Sequence, residues 1–209
     1  MTPQMLSSAL RHLKKDERLK AVIERHPKPN DIGARDDVYI ALTRAIIYQQ
    51  LSGKAAATIY RRYSELFKAG KPEAKEFFKK RPEALRAAGL SGQKLKYLTD
   101  LSEKFREGFI KPERFPGMSD QEVREHLVAV KGIGVWTADM FLMFTLGRPD
   151  VLPTLDLGIR RGFQLLFKMK EMPDAAKMEK LAKPWAPYRT VASWYLWRLA
   201  DEKNNNFPR

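Results

Sequence analysis

A short glycine-containing turn in the second half of the chain has the composition of an anion-binding site. Residues 127–138 read LVAVKGIGVWTA, in which Lys-Gly-Ile-Gly separates two apolar stretches of helical spacing. Glycine lets a chain turn through positive φ and lets its backbone approach another group closely. The second helix begins at this turn, so its unpaired amides and the ammonium of Lys131 would suit a phosphate. An ordinary helix–helix turn with a glycine cap has the same pattern.

A carboxylate, Asp156, stands at the start of a later helical stretch. It closes the run Pro-Thr-Leu-Asp at residues 153–156. In the first turn of a helix the macrodipole favours the ionised form of a carboxyl group, so this side chain could stabilise a developing cation or orient a water molecule. The residues alone are also explained by a helix N-cap, a common role for aspartate, and the two roles are compatible.

The elements that must position these residues are helices. Apolar residues recur at helical spacing along almost the whole chain and strand alternation is almost absent, so we predict an all-α fold. Ser119 and Glu122 form a capping box that opens the first hairpin helix. The stretch from Val135 to Leu146 is apolar nearly all round, which indicates a buried central helix.

A second polar position lies nearer the N-terminus. Residues 37–51 form an amphipathic helix that Gly53 is predicted to break, and Gln49 and Gln50 extend its inward stripe where apolar residues are expected. Buried amides need hydrogen-bond partners. These two side chains therefore cap a helix, anchor a loop or reach a ligand.

The composition favours some partners and excludes several chemistries. The 209 residues include 39 Lys and Arg against 25 Asp and Glu, a net charge of +14, and no cysteine. A basic chain favours a polyanionic partner such as nucleic acid, although a well-solvated basic protein has the same balance. The lack of cysteine excludes disulfides, iron–sulfur clusters, thiolate zinc sites and cysteine nucleophiles. We find no apolar stretch of membrane-spanning length and no signal-peptide core, so we expect neither a membrane partner nor secretion.

Taken in order, these motifs resemble the helix–hairpin–helix (HhH-GPD) base-excision DNA glycosylases, and most closely the DNA-3-methyladenine glycosylase II group. The resemblance depends on the glycine hairpin, the buried helix and the Pro-x-x-Asp that follows it, and it extends over most of the chain. The other matching segments are Tyr48-Gln-Gln-Leu-Ser52, Lys54-Ala-Ala-Ala57, Gly89-Leu90, Leu146-Gly-Arg-Pro-Asp150 and Pro184-Trp-Ala-Pro-Tyr-Arg189 with Trp194.

The resemblance implies a monofunctional DNA glycosylase for alkylated purines such as 3-methyladenine and 7-methylguanine in base-excision repair. Asp156 matches the catalytic aspartate, which stabilises the positive charge that develops on the sugar or orients the attacking water. Leu155 stands where family members often carry a second acid. Bifunctional relatives carry a lysine nucleophile where this chain has Trp136, and without an amine no imine forms with the sugar.

The resemblance also implies a base pocket and a DNA-contacting surface. Such enzymes flip the base out of the duplex. Trp136 and Trp194 match tryptophans that line the family's pocket, and Met140 replaces a further aromatic residue. Aromatic faces favour a cationic base, whereas core packing is the plainer role of tryptophan at helical spacing. The residues predicted to contact DNA are Gln49, Gln50, Ser52, Lys54, Gly92, Lys94, Lys131, Gly132 and Gly134.

The implied architecture has two helical lobes with a catalytic cleft between them. Residues 36–150 are predicted to form a helical bundle that ends in the hairpin, and residues 1–35 plus 151–209 a second lobe that carries Asp156. The expected partner is double-stranded DNA with damaged bases. We expect a monomer, in the cytoplasm at the nucleoid of a bacterium or in the nucleus of a eukaryote.

No organic cofactor is expected. Relatives hold a monovalent cation, Na⁺ or K⁺, on backbone carbonyls of the hairpin, which correspond here to Val128, Val130 and Ile133. Side chains do not reveal such a site, so the resemblance alone suggests it.

Two other functions use the same scaffold. A non-catalytic helix–hairpin–helix DNA-binding protein would keep the hairpin and the basic surface without needing an acid at Asp156. A glycosylase for mismatched or oxidised bases would also keep Asp156, but several such relatives carry the lysine nucleophile and cluster cysteines that this chain lacks.

Overall fold

The computed structural model describes residues 1–30, 32–33 and 37–204. Within these residues the chain is helical and has no β-strand, which confirms the predicted all-α class. The helices are α1 Pro3–Leu13, α2 Glu17–Arg25, α3 Val38–Tyr48, α4 Gly53–Ser64, α5 Ala74–Phe77, α6 Pro82–Ala87, α7 Gly92–Arg106, α8 Asp120–Val128, α9 Val135–Phe144, α10 Leu157–Leu166, α11 Ala175–Ala182 and α12 Arg189–Asn204. None of the described helices has the length and apolar character needed to cross a bilayer.

The chain divides into two compact units. The terminal unit comprises Met1–Ala34 and Leu142–Arg209, and the middle unit comprises Arg35–Phe141. The prediction set the second boundary at residue 150, whereas the units divide inside α9. This helix serves both cores, because Phe141 packs edge-on against Phe115 in the middle unit while Phe144 stacks on Trp197 in the terminal unit. Asp36, the first predicted boundary, lies outside the described residues.

In the terminal unit, α12 packs against α1, α2 and α10. A Cβ atom on Gly162 of α10 would lie 2.6 Å from the carbonyl oxygen of Leu196, so only glycine allows α10 and α12 to approach this closely. Trp185, Phe163 and Tyr195 are buried in the resulting core. Because α12 reaches the start of α10, it also borders Asp156.

In the middle unit, α3 packs against α4 and α7, and α7 also contacts α5 and α6. The predicted capping box is present at the start of α8, where the Ser119 hydroxyl accepts the Glu122 N–H and the Glu122 carboxylate accepts the Ser119 N–H. A cap of this kind contributes on the order of 1 kcal/mol to helix stability. It fixes the start of the helix that leads into the hairpin.

Candidate functional site

The hairpin between α8 and α9 turns on one of its two glycines. Gly132 has a φ of 83°, and a Cβ atom there would lie 2.2 Å from the Tyr97 ring, so the position requires glycine on both grounds. Gly134 lies outside the positive-φ region and has open space around it. Both glycines were predicted to allow the turn and the close approach of the backbone. In the structure only Gly132 meets these requirements.

Two polar side chains of neighbouring helices hold the hairpin backbone. Gln49 donates its amide N–H to the carbonyl of Gly132 at 2.7 Å. Asp100, which is 5% exposed, accepts the backbone N–H of Lys131 at 2.9 Å and pairs with the ammonium of Lys104 at 3.0 Å. Burial by itself raises the pKa of Asp100, but the Lys131 N–H and the Lys104 ammonium outweigh burial, and the pKa lies below its ordinary value.

Asp100 was not among the residues predicted to form the site. The signal that could have found it is an aspartate between Leu98 and Leu101 on the buried face of a helix, since a buried carboxylate requires donors. By contrast, the inward position of Gln49 did indicate a buried hydrogen-bond partner. That partner is the carbonyl of Gly132 in the hairpin.

The turn after α3 differs from its prediction. The helix ends at Tyr48, Gln50 takes a φ of 57°, and Gly53 is the first residue of α4 rather than the breaker of α3. Glutamine rarely adopts positive φ. Ser52 precedes α4 without making a side-chain cap hydrogen bond. The exposed residues here include Gln50, Ser52 and Lys54, and their contact with DNA stays a prediction.

Lys94, another predicted DNA contact, is partly buried and hydrogen-bonds to the protein backbone. Its ammonium donates to the carbonyl of Ile47 at 2.5 Å, and burial lowers its pKa. This bond satisfies one of the carbonyls left unpaired at the end of α3. Lys94 therefore anchors the end of α3, while Gly92, two residues earlier, is exposed in the first turn of α7.

A cavity of about 520 Å³ lies beside these residues in the middle unit. Trp136 borders it with 45% of its surface exposed, and Met140, one helical turn later, forms part of the same wall. Trp136 is therefore not a core residue in this structure. The cavity is lined by Ala45, Tyr48, Gln49, Gln50, Ser91, Gln93, Lys94, Tyr97, Gly132, Trp136, Thr137 and Met140.

Trp194 lies elsewhere, in the core of the terminal unit. It is 5% exposed, and the guanidinium of Arg198 lies 4.4 Å from its ring centroid. Its predicted role in base binding stays a prediction.

Asp156 is the N-cap of α10, in the terminal unit. One oxygen of its carboxylate, Oδ1, accepts the backbone N–H of Ile159 at 2.8 Å and the indole N–H of Trp197 at 2.8 Å. The N-cap prediction is confirmed, and the second donor was not foreseen, since Trp197 has the helical spacing of an ordinary core aromatic. Leu155 and Leu157, on either side, are 61% and 64% exposed.

The basic side chains differ in their exposure and in their ion-pair partners. Lys131 keeps 72% of its side chain exposed while its ammonium lies 3.4 Å from Asp100. By contrast, Lys79 pairs with Glu76 on an exposed face at 2.8 Å. Such pairing is typical of solvated surface, and the role of Lys54 and Lys131 as phosphate ligands stays a prediction.

The described residues contain no cluster of three or more His, Asp or Glu side chains that could bind a metal. A cation on backbone carbonyls is a separate question. The carbonyl of Val130 accepts the Ile133 N–H at 3.0 Å and retains a second lone pair. The proposed cation on the hairpin carbonyls stays a prediction.

Comparison with known proteins identifies the family. Residues 43–187 match the family described as HhH-GPD superfamily base excision DNA repair protein. DNA-3-methyladenine glycosylase 1 of Schizosaccharomyces pombe is 37% identical over 179 residues, which are 83% of this chain and 78% of that protein.

Solved structures give the same result. The DNA-3-methyladenine glycosidase of Bacillus halodurans aligns with a TM-score of 0.85 and 35% identity over 99% of this chain and 93% of that one. The Schizosaccharomyces pombe 3-methyladenine DNA glycosylase in complex with abasic DNA aligns with a TM-score of 0.80 and 34% identity over 97% of this chain and 100% of that one.

Proposed function

Because the chain belongs to the HhH-GPD superfamily of base excision DNA repair proteins, we propose that it is a monofunctional DNA-3-methyladenine glycosylase. It hydrolyses the N-glycosidic bond of alkylated purines, such as 3-methyladenine and 7-methylguanine, in double-stranded DNA. The observation that carries this proposal is the placement of Asp156, a carboxylate fixed at the N-terminus of α10 by donors from two helices.

The chemistry requires a negative charge beside the sugar. When the N-glycosidic bond breaks, its electron pair leaves with the base and positive charge develops on the anomeric carbon. An alkylated purine carries a positive charge and so departs as a neutral base. Asp156 stabilises the developing cation and orients the water that adds to the same carbon. This water loses one proton to solvent, and the product is an intact abasic site.

The cavity of the middle unit supports recognition of the flipped base. Trp136 offers an electron-rich face, which attracts a cationic ring, and Met140 supplies a polarisable side chain that packs well on a planar base. Met140 replaces a larger aromatic side chain of relatives, so we expect the pocket to accept bulkier adducts than a pocket closed by three aromatic rings.

The DNA contacts follow from exposure and charge. Gln50 and Ser52, in the exposed α3–α4 turn, are proposed to enter the minor groove beside the flipped base. The ammonium groups of Lys54 and Lys131 and the hairpin amides are proposed to bind phosphates. Gln49 and Lys94 are proposed to support this surface indirectly, because their polar ends donate hydrogen bonds to the carbonyls of Gly132 and Ile47.

Base release from defined DNA tests the proposal. Duplexes with one 3-methyladenine or 7-methylguanine are incubated with the protein, and abasic sites are revealed by alkaline cleavage. We expect cleavage at the lesion and none in undamaged duplex. Duplexes with an oxidised or a mismatched base test the second candidate substrate class. Salt-dependent binding without release of any base would instead indicate a non-catalytic DNA-binding protein.

The monofunctional reaction has its own readout. Trp136 occupies the position of the lysine nucleophile of bifunctional relatives and has no amine. We therefore expect that borohydride traps no covalent complex with lesion-containing DNA. A trapped complex would contradict the monofunctional reaction while leaving base release intact.

We further propose that the enzyme acts as a monomer without an organic cofactor, on chromosomal DNA in the nucleoid or the nucleus. A Na⁺ or K⁺ ion on the carbonyls of Val128, Val130 and Ile133 would stiffen the hairpin. Sedimentation of the protein with and without DNA tests the monomer, and exchange of the buffer cation tests the hairpin site.

A further inference from the structure

We propose that Trp197 is a positioning residue for the reaction, whose indole N–H sets the orientation of the Asp156 carboxylate. This inference rests on the proposed glycosylase function and assigns a role to a residue outside the motifs that carry the family resemblance. Trp197 does not need to touch the substrate. Its effect on the reaction passes through Asp156.

Both donors converge on the same carboxylate oxygen. The Ile159 N–H comes from the helix that Asp156 caps, and a single cap bond lets the carboxylate plane turn about it. The Trp197 N–H comes from α12 and reaches the same Oδ1 at the same distance of 2.8 Å. Donors from two different helices together restrict how the carboxylate can turn. Orientation matters for a catalytic carboxylate because misplacement by about 1 Å can lower the rate about a hundredfold.

The indole is itself held in place. Its ring stacks on Phe144 at a centroid distance of 5.9 Å and an interplanar angle of 26°. Next to Asp156, a Cβ atom on Gly158 would lie 2.8 Å from Trp197 Cδ1 and 3.1 Å from Asp156 Oδ1. Glycine at this position leaves the space in which the indole and the carboxylate meet.

The terminal unit contains a matched pair for comparison. Trp185 donates its indole N–H to Asp16 at 3.2 Å, and Asp16 caps α2 just as Asp156 caps α10. Trp185 is fully buried in the core. Trp185→Phe therefore removes the same chemical group, a tryptophan N–H on a capping aspartate, at a site with no role in the proposed reaction.

Single-turnover release of 7-methylguanine from a duplex tests the inference. Trp197→Phe keeps an aromatic ring on Phe144 but removes the donor, and we expect the rate to fall by about tenfold to a hundredfold. The protein concentration at half-maximal rate is expected to stay unchanged. Trp185→Phe is expected to keep the wild-type rate. Gly158→Ala, which places a methyl group between the two partners, is expected to lower the rate as Trp197→Phe does.

The decisive readout is the combination with Asp156→Asn. If Trp197 acts through the carboxylate, Trp197→Phe causes no further loss in the Asp156→Asn background, above the uncatalysed rate. A multiplied loss in the double variant would show a separate structural role and overturn the inference. So would wild-type rates for both Trp197→Phe and Gly158→Ala. Failure of the wild-type protein to release any base would refute the proposed function instead.

Discussion

Gln49 was predicted to contact DNA, and in the structure it stabilises the hairpin that is predicted to bind DNA. Its amide N–H binds the carbonyl of Gly132, so the α3–α4 turn and the hairpin are joined directly. Its neighbour Gln50 is exposed and strained at positive φ. The two adjacent amides therefore have different roles, with one fixing the hairpin and the other facing solvent.

Replacing Gln49 by leucine should weaken the fold. The carbonyl of Gly132 loses its donor in a partly buried place, which costs about 1–3 kcal/mol. Chemical denaturation at neutral pH measures the free energy of unfolding. Gln50→Leu is the matched control, since Gln50 is exposed and should retain the wild-type value. Equal stability of the two variants would contradict the anchoring role.

The residues at the site could be predicted only in part. The N-cap role of Asp156 could be predicted from its place after a proline-containing loop at the start of a helix, because capping is a local property of sequence. Trp197 was not foreseen, because its partner is 41 residues away in the chain. Helical spacing predicts which face of α12 is buried and not what an indole N–H on that face will meet.

Among the elements, the hairpin makes the strongest demand on sequence. Gly132→Ala introduces a side chain at positive φ and against the Tyr97 ring, and we expect it to cost at least about 2 kcal/mol of stability. Gly134→Ala meets no atom within 4 Å and should fold with nearly wild-type stability. Thermal unfolding of the two variants gives the comparison. Similar unfolding temperatures would contradict the assignment of the turn to Gly132.

The attachment of the hairpin to α7 should depend on pH. The pKa of Asp100 is lowered in the folded protein, so the unfolded chain takes up the proton first as the pH falls. The stabilisation from Asp100 is therefore complete above the ordinary aspartate pKa and is lost as the pH falls through the lowered one. Asp100→Asn should be less stable than wild type at neutral pH, and the difference should shrink on acidification. A difference independent of pH would refute this account.

Helix boundaries show where local signals end. The capping box at Ser119 and Glu122 was predictable because both partners lie within one turn. The end of α3 was not, because the chain turns at Gln50, a residue type that seldom takes positive φ, rather than at Gly53. Hydrogen bonds of Lys94 and Gln49 hold the chain on either side of that turn. Tertiary contacts of this kind produce no periodic pattern in the sequence.

For the whole molecule, the all-α class was predictable because apolar residues recur at helical spacing along almost the whole chain. The division into two units inside α9 was harder to predict. An apolar helix with no polar face can serve two cores, and the sequence pattern marks it as buried without showing which side chain joins which core. Phe141 and Phe144, three residues apart, belong to different units.

The net charge of +14 should appear as a steep salt dependence of DNA binding. If Lys131 binds a phosphate, Lys131→Ala should reduce the slope of log affinity against log salt by about 1. Lys79→Ala, which removes a lysine paired with Glu76, should leave the slope unchanged. Binding isotherms on one lesion-containing duplex at several salt concentrations measure both. Equal slopes for the two variants would remove Lys131 from the DNA interface.

Base release from a single-lesion duplex by wild type and by Asp156→Asn tests whether Asp156 carries out the proposed hydrolysis. Asparagine keeps the size of the side chain and an acceptor oxygen for the Ile159 and Trp197 N–H groups, so the protein should fold and bind lesion-containing DNA normally. We predict that the single-turnover rate falls by about 10²–10⁴-fold while affinity is retained. A near-wild-type rate of base release by Asp156→Asn would contradict the account.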